Sequence, residues 1–311
     1  FDKIFYPFKI RKFIIFPTSI KAFIFSIFRC RNLIIYFNGG SLFNTIFLRF
    51  FEPYFYKLAK IKIIVMPYGG DVQDLSRSPN LLFKNACNES YSNFKYRKKL
   101  IERNIDRWTN NADFVIGGCE WVDYMYGWDM LLPAHFTVEI PSIINFSDYK
   151  PNTKLRILHA PNHRQIKGTN YIIKTIKKLK NQFKLDIELI LKEKEDNATI
   201  LKSIQECDLV IDQLIIGWYG LFSLEAMAYG KPVLCFLRND LVDLYTYNKI
   251  IDKEDFEKNE SNIISEVFPP IINSDIFNLE KTLLEIYYGK INLNLFSHGG
   301  HRYCKKYHSV N

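Results

Sequence analysis

The sequence predicts an α/β protein of two doubly wound domains, each a parallel sheet with helices on its faces. Three observations carry this. Short, continuous apolar runs of strand length recur along the chain, separated by longer amphipathic stretches. Parallel strands need crossover connections of that length, whereas antiparallel strands could be joined by tight turns. The alternation lapses in the polar stretch "INFSDYKPNTK" (144–154) and then restarts, dividing 311 residues into two cores of ordinary size.

The elements follow in order. "LIIYF" (33–37) reads as a buried strand, "SLFNTIFLRFFEPYFYKLAK" (41–60) as a helix kinked before Pro53, and "IKIIVMP" (61–67) as the next strand. Residues 80–110 read as helical, "ADFVIGG" (112–118) as a strand, and "GCEWVDYM" (118–125) as the start of a helix in which Trp121 is core. After the polar break come the strand "LRILHA" (155–160), a helix over 168–181, the strand "IELILK" (187–192) and a helix over 196–206. The strand "CDLVIDQ" (207–213), a helix over 219–229 and the strand "KPVLCF" (231–236) come next. Helices near 259–267, 275–288 and 294–307 close the chain. The domains expected are 1–146, 147–290, and a C-terminal helix in 291–311 that packs back on the first domain.

Hydrophobic residues make up 48% and charged residues 24%, which excludes a disordered chain. The six Cys are scattered without a CxxC pair, which excludes a disulfide frame and a zinc site and suits a reducing, cytoplasmic compartment. The apolar run Phe13 to Phe28 is interrupted by Pro17 and Lys21 and is too short to span a bilayer. Residues 1–70 hold eleven Lys/Arg against Asp2 and Glu52, so this opening carries the whole formal charge of +9. It is also crowded with Phe and Tyr. Such interleaving suits the surface of an anionic membrane, or a buried apolar face with a solvated basic edge. Nucleic acid would need a basic groove and is not expected as a partner.

Two stretches could carry chemistry. In "HAPNHRQIKGT" (159–169) a strand ends near Ala160 and a helix begins near Gly168, so Arg164 and Lys167 project from a loop at the carboxyl edge of a sheet. A guanidinium fork and an ammonium together can neutralise a diphosphate, and Gly168 lets the backbone approach. In "DQLIIGWYGLFSLEAMAYGKPVL" (212–234) a strand ends in Asp212-Gln213, and Gly217 and Gly220 bracket Trp218-Tyr219 before a helix. A glycine-opened helix N-terminus is a ready anion site. Glu225 is a carboxylate in an otherwise apolar helix and can accept both hydroxyls of a ribose.

Together these stretches resemble the glycosyltransferases of family 4, which have the GT-B fold of two Rossmann-like domains facing across a cleft. The resemblance covers roughly residues 150–236. It implies that Arg164 and Lys167 bind the donor diphosphate and stabilise it as a leaving group, and that Glu225 binds the ribose. Gly220 and Leu221 would offer backbone amides, with Asp212, Gln213, Gly217 and Tyr219 around the donor. The family pattern has two Glu with seven residues between them; the second matches Glu225, and the first falls on Gly217. In the first domain "NGGS" (38–41) and "YGGD" (68–71) place Gly39, Gly40, Tyr68 and Asp71 at strand ends. The resemblance puts these on the acceptor side, with Tyr68 where His is common. No Asp-x-Asp cluster is present, and neither a metal nor another cofactor is expected.

The function implied is retaining transfer of a sugar from a nucleotide-sugar donor to a lipid-linked or polysaccharide acceptor in cell-surface glycan synthesis. The protein would be peripheral at the cytoplasmic membrane face through its basic aromatic opening. Rival readings are a catalytically inactive nucleotide-sugar-binding scaffold and a GT-B-type nucleotide-sugar epimerase. Nothing upstream of "LIIYFNGG" matches the strand, glycine loop and helix that open such chains, so part of the first domain is expected to be missing, with an exposed sheet edge.

Overall fold

The structure is a computed structural model that describes residues 11–91, 94–248 and 269–310. By packing, the chain forms two units. Unit 1 takes the described residues of Phe1–Ser78 and Asn93–Leu132, and unit 2 those of Pro79–Ser92 and Pro133–Asn311. The division thus falls at Leu132/Pro133 rather than in 144–154, and a segment before it belongs to unit 2. The first ten residues and the helix expected near 259–267 lie outside the described residues.

Unit 1 opens with α1 (Arg11–Arg29) and β1 (Asn32–Tyr36). The expected helix over 41–60 is mostly turns, followed by a 3-10 turn at Leu48–Phe50 and the short α2 (Glu52–Leu58). Pro53 is responsible: it fits the first turn of a helix, where its missing N–H costs nothing, and so starts α2 rather than kinking a longer helix. β2 (Lys62–Met66), α4 (Phe94–Thr109), β3 (Phe114–Gly118) and β4 (Met130–Leu132) complete the unit. "GCEWVDYM" forms a 3-10 turn, Cys119–Tyr124, not an α-helix, and Trp121 is buried. All strand pairs are parallel, in the order β1-β2-β3-β4. β1 is an edge of this sheet among the described residues, and Ile34 and Tyr36 are exposed on it.

Unit 2 contains β5 (Leu155–His159), the one-turn α5 (Arg164–Lys167), α6 (Thr169–Gln182), β6 (Ile187–Leu191) and α7 (Asn197–Glu206). β7 (Leu209–Ile211), α8 (Leu221–Ala228), β8 (Val233–Cys235), α9 (Asn239–Tyr247) and β9 (Ile272–Asn273) follow, then α10 (Leu279–Tyr287) and α11 (Leu293–Tyr307). The parallel sheet has the order β6-β5-β7-β8-β9. Its strands read as unbroken apolar runs because both faces are covered. α6 buries Ile172, Ile176 and Leu179, and α10 buries Leu279, Leu283 and Ile286. Each set has i, i+4, i+7 spacing, one apolar stripe turned to the sheet. Each such side chain contributes roughly 1.5–3 kcal/mol by leaving water.

Helix α3 (Leu81–Ser90) joins unit 2 through its cap. Asn80 Oδ1 accepts from Phe83 N at 3.0 Å, while its Nδ2 donates to the Ile215 carbonyl at 2.6 Å. The last helix, expected to return to the first domain, lies against α8 of its own unit. Gly300 permits the approach: a Cβ there would sit 3.0 Å from Met227 Cγ. Ser297 Oγ also donates to the Gly230 carbonyl, and the Tyr219 hydroxyl meets Tyr303 at 2.8 Å.

Candidate functional site

In unit 2 the chain runs from β5 outward to β6, then crosses back to place β7 on the other side of β5. The gap between β5 and β7 is therefore a topological switch point. Loops leaving the two strands in opposite directions open a crevice at the carboxyl edge. The two chemically marked stretches are the loops that leave these strands.

His159 ends β5 and is fully buried. Its Nδ1 lies 2.8 Å from the Ile211 carbonyl, which can only accept, so Nδ1 carries the proton. Nε2 then accepts from the Thr169 hydroxyl at 2.9 Å. Burial depresses its pKa to about 4, which keeps this neutral bridge intact at pH 7. His159 thus ties β5 to β7 and to the start of α6. The sequence reading missed it, although a polar residue closing an apolar strand just before the basic turn was a signal.

Residues 164–167 form a helical turn rather than a loop, closed by Gly168 at φ +77°. A Cβ there would be strained by that φ and would press on Leu214 Cβ at 3.3 Å. The turn separates the two cations. Lys167 Nζ points inward to Asp212 Oδ1 at 2.6 Å. Arg164 points outward to Glu193 at 2.7 Å and Asn170 at 3.2 Å. The two therefore do not converge on one point as expected.

Asp212 is fully buried and ionised; Lys167 and its hydrogen bonds outweigh burial and hold its carboxyl below the usual range. Its other oxygen accepts from Ser223 Oγ at 2.7 Å and Gly220 N at 3.2 Å, which fixes the start of α8. Gly220, the N-cap of α8, supplies no side-chain cap. Lys167, Leu221 and Glu225 line a cleft of about 580 Å³ together with Lys192, Lys194 and Asn197. Lys192 and Lys194 were not foreseen, because nothing local marks which solvated lysines border a crevice. Glu225 is half-buried and accepts from Asn197 Nδ2 at 2.8 Å; burial raises its pKa.

Of the expected donor residues, Arg164, Asp212 and Gly220 do not line this cleft, and neither do Gln213, Tyr219 and Gly217. Gln213 is a buried brace: Nε2 donates to the carbonyls of Trp218 and Phe236, and Oε1 accepts from the backbone of Ile215 and Ile216. Tyr219 is buried against Tyr303 and His308. Gly217 has φ +100°, and a Cβ on it would lie 2.7 Å from Arg238 Cγ and Cδ.

In unit 1 the glycine turns after β1 and β2 are tied together. Asp71 is fully buried and accepts from the backbone N–H of Phe37, Tyr68 and Gly69, each at 3.0 Å. Burial lifts its pKa to about 6 against those donors. Its role here is to clamp the loops rather than to meet a ligand. Gly40 is also internal, because a Cβ there would lie 2.6 Å from Glu52 Oε1. Gly39, at φ +117°, bonds back to Tyr36. Tyr68 is exposed, and its hydroxyl accepts from Asn38 Nδ2 at 2.6 Å.

No family model and no curated protein sequence matches the chain. Solved structures do. Sucrose-phosphate synthase from Thermosynechococcus elongatus aligns with 98% of this chain and 76% of its own, at TM-score 0.55 and 11% identity. The fold is that of the GT-B glycosyltransferases, with two parallel-sheet Rossmann-like units. The S. aureus TarM G117R mutant, solved with Fondaparinux, alpha-GlcNAc-glycerol and UDP, aligns at TM-score 0.49 and 13% identity. That match covers 80% of this chain, which spans about half of TarM, 48%. Among the described residues no helix is long and apolar enough to cross a membrane, and no group of three His, Cys, Asp or Glu is placed to hold a metal.

Proposed function

We propose that the protein is a retaining, metal-independent glycosyltransferase of family 4 type that takes a nucleotide-sugar donor in the unit 2 cleft. The observation that carries this reading is the ion pair of Lys167 and Asp212 at the base of a switch-point cleft whose wall is Glu225. Lys167, Lys192 and Lys194 supply positive charge for a diphosphate, and Leu221 at the start of α8 supplies a backbone N–H, that of Gly220 being held by Asp212. Glu225 takes the ribose hydroxyls. Asp212 positions Lys167. Arg164 reaches the diphosphate by exchanging Glu193 for phosphate oxygen.

In the reaction the bond from the sugar anomeric carbon to the diphosphate oxygen breaks as the acceptor oxygen bonds to the same face. The acceptor proton passes to the departing phosphate. Cations and helix N–H groups stabilise the charge that develops, an electrostatic form of catalysis. The acceptor is lipid-linked or a polysaccharide, on the unit 1 side near Gly39 and Tyr68, for cell-surface glycan synthesis. The protein works at the cytoplasmic membrane face.

The test is thermal-shift binding of UDP, GDP, ADP and CMP to the full chain, with and without EDTA. One nucleotide should raise the melting temperature, unaffected by EDTA, and Glu225→Ala should abolish the rise. No shift with any nucleotide would refute the reading. A second reading, an inactive nucleotide-sugar-binding scaffold, is favoured by Gly217, where Arg238 fills the space a carboxylate side chain would need. Nucleotide binding without donor hydrolysis or transfer would select it.

A further inference from the structure

Two arginines of unit 1 lie over one aromatic ring, and a third lines the cavity beside it. The guanidinium carbons of Arg49 and Arg107 lie 4.9 and 4.8 Å from the Phe50 ring centroid. Arg103 and Arg107 line, with Phe50 and Tyr54, an open cavity of about 500 Å³. Lys57 is held at its wall by Asn111, at 3.0 Å. The lining contains one acid, Asp106. None of the three arginines has an ion pair among the described residues. Arg107 donates to the neutral Asn104 at 3.3 Å, and Arg49 Nε is buried without an acceptor. Burial first, then the charge of Arg49, lowers the Arg107 pKa; Glu52, already engaged by Leu42 N and the Tyr56 hydroxyl, opposes this. Like charges held together and partly desolvated repel until an anion joins them.

The surroundings are apolar. Phe47 is 73% and Leu58 83% exposed, and Ile46, Phe51 and Tyr54 are exposed as well. Helix α1 lies beside α2, with Phe23 against Phe55 and Tyr56 at 5.7 and 5.6 Å. From residue 17 onward, two serines of this helix lie inside and several large apolar side chains outside. Ser19 and Ser26 are buried at 7% each, while Lys21, Ile24, Phe25 and Phe28, one face by spacing, are exposed. A helix turned to water would show the reverse. Cations beside exposed aromatics and aliphatics match a phosphate that carries acyl chains better than a free one.

We propose that the cavity of Arg103 and Arg107, with Arg49, binds the phosphate of an anionic membrane lipid while the apolar side chains of α1 and α2 enter the headgroup region. This locates the membrane contact suggested above and does not depend on the nucleotide cleft. The test uses the full chain, phosphatidylcholine vesicles with and without phosphatidic acid, and inorganic pyrophosphate as the free anion. Arg103→Glu changes an exposed residue, and Lys174→Glu makes the same charge change on the exposed side of α6. Circular dichroism checks that both variants fold. At about 1 kcal/mol per charge near an anionic surface, Arg103→Glu should weaken binding to phosphatidic acid vesicles about thirty-fold. Lys174→Glu should leave it unchanged. Equal weakening by both would reduce the effect to net charge and overturn the pocket while leaving membrane contact standing. Binding of pyrophosphate that Arg103→Glu abolishes, without vesicle binding, would assign a soluble anion to the cavity instead. No vesicle binding at all would remove the membrane contact too, with nucleotide binding still separately measurable.

Discussion

Lys167 and Asp212 stand 45 residues apart in the chain and meet at 2.6 Å across the switch point of the unit 2 sheet. Asp212 has no access to water, and Lys167 retains 15% side-chain exposure toward the cleft. The pair is therefore half structure and half site: the aspartate holds an ammonium where an anion can reach it.

Removing one partner leaves a buried charge uncompensated. Lys167→Met should lower stability by about 3–5 kcal/mol, whereas Lys167→Met combined with Asp212→Asn should cost clearly less than the sum of the single changes. Urea denaturation of the three variants measures this. Additive losses would mean that the pair is not coupled.

Glu225 is half-buried and held by one hydrogen bond from Asn197. Glu225→Gln should preserve the fold and weaken nucleotide binding ten- to hundred-fold, the scale of roughly 1.5–3 kcal/mol for hydrogen bonds to a charged acceptor. Isothermal titration of the nucleotide that gives a thermal shift is the measurement. An unchanged affinity would move the ribose away from Glu225.

Acid should loosen unit 2 through His159. Its folded pKa, about 4, lies below the ordinary 6.5, so between those values the unfolded chain binds a proton that the folded chain refuses. Stability is full above pH 6.5 and falls as pH drops toward 4, by roughly 3 kcal/mol over the window. His308 acts with the same sign and Asp71 with the opposite one, and both cancel when wild type is compared with His159→Gln. The difference between their urea midpoints should shrink on going from pH 7 to pH 4.5; a constant difference would show that His159 titrates normally.

Gly217→Ala should destabilise by about 1–3 kcal/mol, because φ +100° strains any other residue and the new Cβ meets Arg238. Adding Arg238→Ala should relieve only the steric part. Thermal melts separate the two, and full recovery in the double variant would show that the φ constraint is negligible.

Much of this was legible along the chain. Apolar runs bounded by polar turns located β1, β2, β3 and β5 to β8, because burial on both sheet faces leaves an unbroken signature in the residues themselves. The stretch 41–60 misled because its aromatics mimic a helical stripe, yet Phe47, Phe51 and Leu58 are exposed. β9 has two residues, too few for a pattern. In the site, Lys167 and Glu225 were marked by their neighbours and do share a cleft. Gln213 and Tyr219 carried equally polar groups in the same motif and turned inward, since side-chain direction in an irregular loop follows what it packs on.

By itself, then, the sequence determined that strands and helices alternate, that the strands run parallel, and that basic and glycine-rich turns sit at their carboxyl ends. Period and composition are local properties, and these conclusions need nothing else. Only the tertiary structure decided that β5 lies between β6 and β7, that Asp212 is the partner of Lys167, and that Arg164 faces Glu193 instead. Strand order and ion pairing are set by contacts between residues distant in the chain, where shape and desolvation choose among partners that look alike in one dimension.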